Sequence, residues 1–461
     1  MNRQLKAAVT VAAIIGLLLG ACSRGGSSSG EQAGGGTSSD LTKVCAGATL
    51  EATEIGVTAS EITITVMADV GSPLQPGLFQ ANVDAMNAYA SKVNAEGGVG
   101  CRQLKVRVWD TRLDPTEAKN GLIDACGNSV SLVGGSVIFN PDPSPMSDCV
   151  DKAGQSVGLP DIPGLATDIN QLCNRTTYTI QGSGEACEVT SGSRSISAMV
   201  GPTLWYQKNL EPNLHGLFLV PGDTPSVLQA STPLIAAQAD AGVVWDGTPK
   251  VSGRDSQPAY TPRIQTAKDA NSNFIYGGSN DRSFLTMRKE AASQQLSTVK
   301  VWACSLSCYT SQFLQTGGTD VEGTYLWVPF LPFEEADTNA AEAEFVSAMG
   351  GVENASAQGA QAWQAALLFT RVVNSIVKAQ GPNAITRPAI LDGLSHTKDF
   401  TADGWSSLKT KQGFSSCFVL MKVESGRFVR VYPSEKGTLD CSSTNVVSVL
   451  IDPAEAAKKV N

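Results

Sequence analysis

The feature that most constrains this chain is a change of hydrophobic period that repeats along it. Glu61-Ile62-Thr63-Ile64-Thr65-Val66 alternates with period two, as a strand does. Phe79, Val83, Met86, Ala90 and Val93 then recur at helical spacing, up to Gly97-Gly98. Leu104 to Trp109 alternates again, and Asp114-Pro115-Thr116-Glu117 opens a second helix. There Asp114 caps, Pro115 suits the first turn and Glu117 favours the dipole. Leu132-Val133-Gly134 reads as a short buried strand. Strand, helix, strand, helix, strand is the order of a parallel sheet covered by helices on both faces.

A second series of the same kind follows Cys187. A helix around Ser195 to Lys208 leads to the strand Leu217 to Val220, and a helix around Pro225 to Ala241 leads to Val243-Val244-Trp245. Strands at Asn273–Tyr276, Val299–Trp302 and Tyr325–Val328 and a helix at Phe284–Gln295 complete it. The expected fold is therefore α/β, with two doubly wound parallel-sheet lobes. The last third departs from this rhythm. Gln361 to Lys378 reads as a long amphipathic helix with Trp363, Ala366, Leu367, Thr370, Val373 and Val377 on one face. Phe418–Met421 and Phe428–Val431 flank Glu424-Ser425-Gly426 as a hairpin. The final dozen residues read as a fraying tail.

At the other end, Arg3 and Lys6 precede an apolar run from Ala7 to Leu19 that is short for a membrane span. Positive head, apolar middle and small residues mark a secretory signal over residues 1–21. Leu19-Gly20-Ala21-Cys22 resembles the bacterial lipobox, which implies a lipid-modified Cys22 and an extracytoplasmic protein anchored to the cell membrane. Ser23 to Asp40 is nearly all Ser, Gly and small polar residues, so 22–44 reads as a flexible tether.

The formal net charge of −9 and the lack of a basic stripe argue against a nucleic-acid partner. Of eleven cysteines, Cys22 set aside leaves ten, which in an exported chain point to disulfides. Spacing does not fix the connectivity. Proximity suggests Cys126 with Cys149, Cys173 with Cys187, Cys304 with Cys308 and Cys417 with Cys441, leaving Cys45 for Cys101. Cys304 and Cys308 could instead form half a zinc site, but no second close pair completes it and neither His215 nor His396 is near. No metal or cofactor is expected. HExxH, Walker, GxGxxG and Gly-x-Ser-x-Gly patterns are lacking, so nothing in the sequence favours an enzyme.

Asn94-Ala95-Glu96-Gly97-Gly98-Val99, then Arg102, Trp109-Asp110 and Asp114-Pro115-Thr116-Glu117-Ala118, resembles the opening of type I periplasmic binding proteins of the branched-chain amino acid-binding branch. Gly359-Ala360-Gln361-Ala362-Trp363-Gln364-Ala365-Ala366 resembles the family's late helix. The resemblance covers roughly residues 60–435. In it Cys101 replaces the usual glycine before Arg102, which supports a disulfide there. It implies two lobes joined by a three-strand hinge, with crossings near 180, 325 and 412. Lobe one would hold 45–180 and 325–412, lobe two 181–324 and 413–445, and 446–461 would be a tail. It further implies a monomeric solute receptor that closes on a small molecule and delivers it to an ABC permease. A sensing lipoprotein or a lipid-anchored enzyme on the same scaffold are the alternatives.

In open α/β sheets, ligands bind beyond the carboxyl ends of the strands. That rule singles out Ser72, Ser136, Phe139, Ala166, Thr167, Asp223, Ser279, Asn280 and Tyr325. Ala166-Thr167 resembles the step that holds the ligand's charged end in amino acid-binding relatives. Each also has a plainer reading. Ser72 suits a turn, Ser136 and Asp223 suit helix caps, and Tyr325 and Trp327 suit packing under the hinge. Ile138 and Phe139 stand where such relatives place serines, so a less polar ligand is expected, amino acid-, amide- or carboxylate-like.

Overall fold

The computed structural model describes residues 37–72, 75–180, 187–222, 225–409 and 414–452. Cys22 and the apolar run before it lie outside these residues, as does Asp223.

Strand β1 (Glu61–Ala68) is the centre of the first sheet. One edge pairs in parallel with β2 (Gln103–Asp110) along its whole length, from Glu61 opposite Gln103 to Ala68 opposite Asp110. The other edge takes β3 (Ser131–Val133) and then β4 (Ser136–Val137), and beyond these lie β5 (Asp161–Ile162) and β6 (Leu165–Ala166), all parallel. Gly134 and Gly135 break the β3–β4 strand. A Cβ on Gly134 (φ +73°) would sit 2.5 Å from Met86 Sδ, and one on Gly135 2.5 Å from the Met67 carbonyl.

The period-two pattern of β1 separates two apolar clusters rather than core from solvent. Ile62, Ile64, Val66 and Ala68 face helices Gln80–Ala95 and Ala357–Gln380, while Met67 packs with Ala118, Leu122 and Ala125 of helix Pro115–Asn128. Thr65 is buried on that second face, within 2.7 Å of Ser129 Oγ. Asp114 caps helix Pro115–Asn128, its Oδ1 accepting from Thr116 N at 2.7 Å and Glu117 N at 3.0 Å. The long helix expected to carry one apolar stripe is buried almost all round in its first half, because it lies under the first sheet. Trp363 is fully buried there, edge-on to Tyr89 at 4.9 Å.

The second lobe opens with β7 (Arg194–Met199), where a helix was expected from Ser195; the helix is Gly201–Asn209, started by Pro202. Next come β8 (His215–Pro221), the broken strand β9 (Val244–Gly247) and β10 (Lys250–Val251), then β11 (Phe274–Gly277), β12 (Val301–Cys304) and β13 (Thr324–Val328). Tyr325 is paired with Ala303 and Lys422 inside β13. The chain therefore leaves the second sheet after Val328, three residues past the crossing expected near 325. It re-enters the first lobe at Phe330, which bridges to Ser406 beside the small pair β14 (Asp399–Phe400) and β15 (Leu408–Lys409). The crossings expected near 180 and 412 adjoin segments outside the described residues.

Strands β16 (Val419–Glu424) and β17 (Arg427–Tyr432) extend the second sheet as an antiparallel hairpin, giving the order β10-β8-β11-β12-β13-β16-β17 with β9 also on β8. The expected tail is corrected in part. β18 (Val446–Ile451) pairs antiparallel with β7, Val446 opposite Met199 and Ile451 opposite Arg194. The expected tether is also shorter, because Thr37–Cys45 is helical. Its Leu41 and Val44 pack on the first core, and a disulfide joins Cys45 to Cys101.

Four further disulfides join Cys126 to Cys149, Cys173 to Cys187, Cys304 to Cys308 and Cys417 to Cys441. Arg102 is fully buried and donates to the carbonyls of Glu51, Thr58, Gly100 and Pro382, so this residue of the opening motif staples the N-terminal segment to the lobe. Among the described residues no helix is long and apolar enough to cross a membrane.

Candidate functional site: a cleft between the two lobes

The carboxyl ends of both sheets face one cavity of about 350 Å³. On the first lobe its wall is set by two aspartates that follow β1 and end β2. Asp69 is fully buried. Its Oδ1 accepts from Thr111 Oγ1 at 2.5 Å and Leu113 N at 2.8 Å, and its Oδ2 from Ile138 N at 2.8 Å. One carboxylate thus ties three strand ends together. Burial raises its pKa above the usual range against the pull of those hydrogen bonds. Asp110 accepts from Val70 N at 3.1 Å and Gly71 N at 3.0 Å, which orders the loop leaving β1.

Ile138, just past β4, lines the cavity with its side chain and links the lobes with its carbonyl. That oxygen accepts from Thr167 Oγ1 at 2.9 Å and, across the cleft, from Ser226 Oγ at 2.7 Å. A second bridge joins the side chains of Gln75 and Asp281. Burial raises the pKa of Asp281, with the Gln75 hydrogen bond opposing it.

On the second lobe, the loop after β12 is closed by the Cys304–Cys308 disulfide. Ser305 and Ser307 both donate to the Ser279 carbonyl, at 2.9 Å and 3.1 Å, and their own oxygens are 2.7 Å apart. Asn280 caps helix Asp281–Ser293 through Ser283 N at 2.8 Å.

Of the residues singled out from the sequence, Thr167, Ser279 and Asn280 line the cavity. Ser72 and Ser136 lie fully buried behind its wall. Ser72 Oγ accepts from Gln75 N, and Ser136 Oγ accepts from Asn82 Nδ2. Phe139 and Ala166 flank lining residues without lining the cavity themselves. Tyr325 is packed inside the second lobe against Tyr206, 5.3 Å between rings, whereas Trp327, two residues on, reaches the cavity.

Residues missed in the sequence include Gln75, Gln358 and Gln361 and the serines of the Cys304–Cys308 loop. That loop was findable, since it follows a strand by the same rule as the others. The glutamines carry no such signal. Neither histidine lines the cavity. His215 stands at the amino end of β8, 3.0 Å from Asp246, and His396 ends an exposed helix turn.

A second hollow, about 600 Å³, lies where Tyr309 and Phe428 of the second lobe meet Phe333 and Glu335 of the first. Its buried charged pair is already engaged. Arg430 holds Glu335 through two hydrogen bonds of 2.7 Å and 2.6 Å, both side chains almost fully buried. The hollow is best understood as part of the interlobe joint, and the cleft at the strand ends as the site.

The sequence profile of the family described as periplasmic binding protein matches residues 61–427. Solved structures with the same fold include an ABC transporter substrate-binding protein from Aeropyrum pernix. It is 12% identical with a TM-score of 0.63, covering 87% of this chain and 100% of that one. A fatty acid ABC transporter substrate-binding protein from Thermomonospora curvata is 16% identical with a TM-score of 0.61, covering 83% and 97%. A leucine-binding protein from Thermotoga maritima is 12% identical with a TM-score of 0.60, covering 80% and 97%. No curated protein matches the chain in sequence. With a profile match over most of its length and two parallel-sheet lobes around a shared cleft, the chain belongs to the periplasmic binding protein family, with the type I fold of binding proteins rather than an enzyme fold.

Proposed function

We propose that this protein is the extracytoplasmic receptor of an ABC importer. It captures a small organic ligand, amino acid-, amide- or carboxylate-like, between its lobes and hands it to a membrane permease. The observation that carries this reading is the cavity itself. Its wall comes from the strand ends of both lobes, and Ser226 bridges to Ile138 across it. A ligand that contacts both walls stabilises the closed arrangement by its differential affinity for it. The names of the two relatives above that print a ligand, leucine and fatty acid, both describe small molecules with apolar bodies.

The lipobox-like Leu19-Gly20-Ala21-Cys22 supports a lipid anchor at Cys22, which would hold the monomeric receptor near its permease and raise the local concentration there. Thr167, Ser279 and Asn280 are proposed to contact the ligand directly.

A thermal-shift screen of small amides, acids and amino acids tests binding, since ligand at about 100 times its dissociation constant stabilises by roughly 2.7 kcal/mol. Uptake assays in a deletion strain test transport. Normal uptake of every ligand that binds would sink the importer reading. Mass spectrometry of the mature N-terminus tests the anchor, which an unacylated Cys22 would remove.

A further inference from the structure

The lining of the cleft restricts the ligand more than the fold does. Among the described residues, no aspartate, glutamate, lysine, arginine or histidine lines the cavity. A carboxylate or ammonium group enclosed there would find no opposite charge among the described lining residues, and an unpaired buried charge is far costlier than an unpaired amide.

The hydroxyls that do line it are biased. Thr167 spends its hydrogen on the Ile138 carbonyl. Ser305 and Ser307 spend theirs on the Ser279 carbonyl or on each other. A hydroxyl has one hydrogen and two lone pairs, so these three oxygens offer the cavity acceptors only. A group that meets these three oxygens must therefore bring hydrogens, and a carboxylate brings none.

One further side chain supplies the opposite half. Gln361 is only 2% exposed and lines the cavity, with no hydrogen-bond partner among the described residues. Its amide nitrogen can donate to a carbonyl. The remaining surface is largely aliphatic and aromatic, from Leu78, Phe79, Leu113, Ile138, Leu306 and Trp327.

We propose that the ligand is an uncharged molecule with an apolar body and a carboxamide-like head. The head's N–H groups meet the oxygens of Thr167, Ser305 and Ser307, and its carbonyl meets the Gln361 amide. This rests on the receptor reading of the cleft and narrows it. The zwitterionic head of an amino acid would enclose two charges among described lining residues that carry none, and its carboxylate has no hydrogens for the hydroxyl oxygens.

Four probes with one apolar chain test it, namely hexanamide, hexanoate, hexylamine and norleucine, titrated calorimetrically into the full mature protein. Hexanamide is expected to bind at least about tenfold more tightly than the other three, a gap of ~1.4 kcal/mol. Gln361→Met is expected to weaken hexanamide about tenfold by removing the carbonyl's partner, with the ligand-free melting temperature unchanged. Equal or tighter binding of hexanoate, hexylamine or norleucine overturns the uncharged class and leaves the receptor standing. Silence from all four, and from a wider set of neutral amides, esters and alcohols, takes down the receptor reading as well.

Discussion

Ser226 of the second lobe donates a 2.7 Å hydrogen bond to the carbonyl of Ile138 in the first. Ser226 is 4% exposed, so water does not replace the bond while the lobes are together. When they part, both groups reach solvent. The bond therefore favours closure without adding to the stability of either lobe. Ser226→Ala is expected to weaken ligand binding about 3- to 10-fold, the range of one net hydrogen bond. Small-angle scattering of the ligand-free variant is expected to show a larger radius of gyration. An unchanged radius and unchanged affinity would show that the bond does not control closure.

At the joint between the lobes, Glu335 and Arg430 are 3% and 6% exposed and 2.6 Å apart. The Glu335 carboxylate also accepts from Gly437 N at 3.2 Å, and Arg430 donates to the carbonyls of Pro433 and Thr438. Removing one partner strands the other in a dry site. Arg430→Met is expected to cost about 3–5 kcal/mol in denaturant unfolding. Adding Glu335→Gln is expected to recover part of that loss, since the stranded charge is then gone. A double variant no better than Arg430→Met alone would mean the loss came from packing.

The five disulfides close chain segments of very different length. Cys45 and Cys101 are 56 residues apart, Cys304 and Cys308 only 4. On the chain-entropy account the first contributes about 4 kcal/mol and the second about 2. Replacing Cys45 and Cys101 by serine is expected to lower the melting temperature more than replacing Cys304 and Cys308. The second pair holds the serine loop of the cleft, so its loss is expected to show mainly as weaker ligand binding. The reverse ranking in both measurements would separate the loop from the site.

The first sheet was legible because β1 and β2 each carry their period-two pattern within eight residues, and Asp114-Pro115 announces the helix between them and β3. β7 was misread because its partner is β18, some 250 residues away, and no local pattern reports such a pairing. The strand-end rule led to Thr167, Ser279 and Asn280, which line the cavity, and also to Ser72 and Ser136, which stand just behind it. Sequence position locates a strand end but not which way each side chain points. Gln358 and Gln361 were invisible for a different reason. They sit in the first turns of a helix packed on nearly every side, where only the three-dimensional lining separates cavity from core.

Glu342 offers a test of the joint by pH. Its carboxyl is 0% exposed and neither oxygen accepts a well-formed hydrogen bond among the described residues, the indole of Trp405 being committed to the Leu331 carbonyl and only weakly opposing the shift. Burial, reinforced by the charges of Glu335 and Glu334, pushes its pKa up to about 10 from an ordinary value of 4.5. The folded protein therefore holds a proton that the unfolded chain releases. The associated stability is complete below pH 4.5 and is lost progressively as pH rises toward 10. Glu342→Gln keeps the shape of the protonated side chain but cannot titrate. The variant is expected to match the wild type near pH 4 and to melt increasingly above it between about pH 5 and about pH 9. If the two melting curves stay parallel across that range, Glu342 is ionised in the folded protein and must have a partner or solvent access that the buried site does not show.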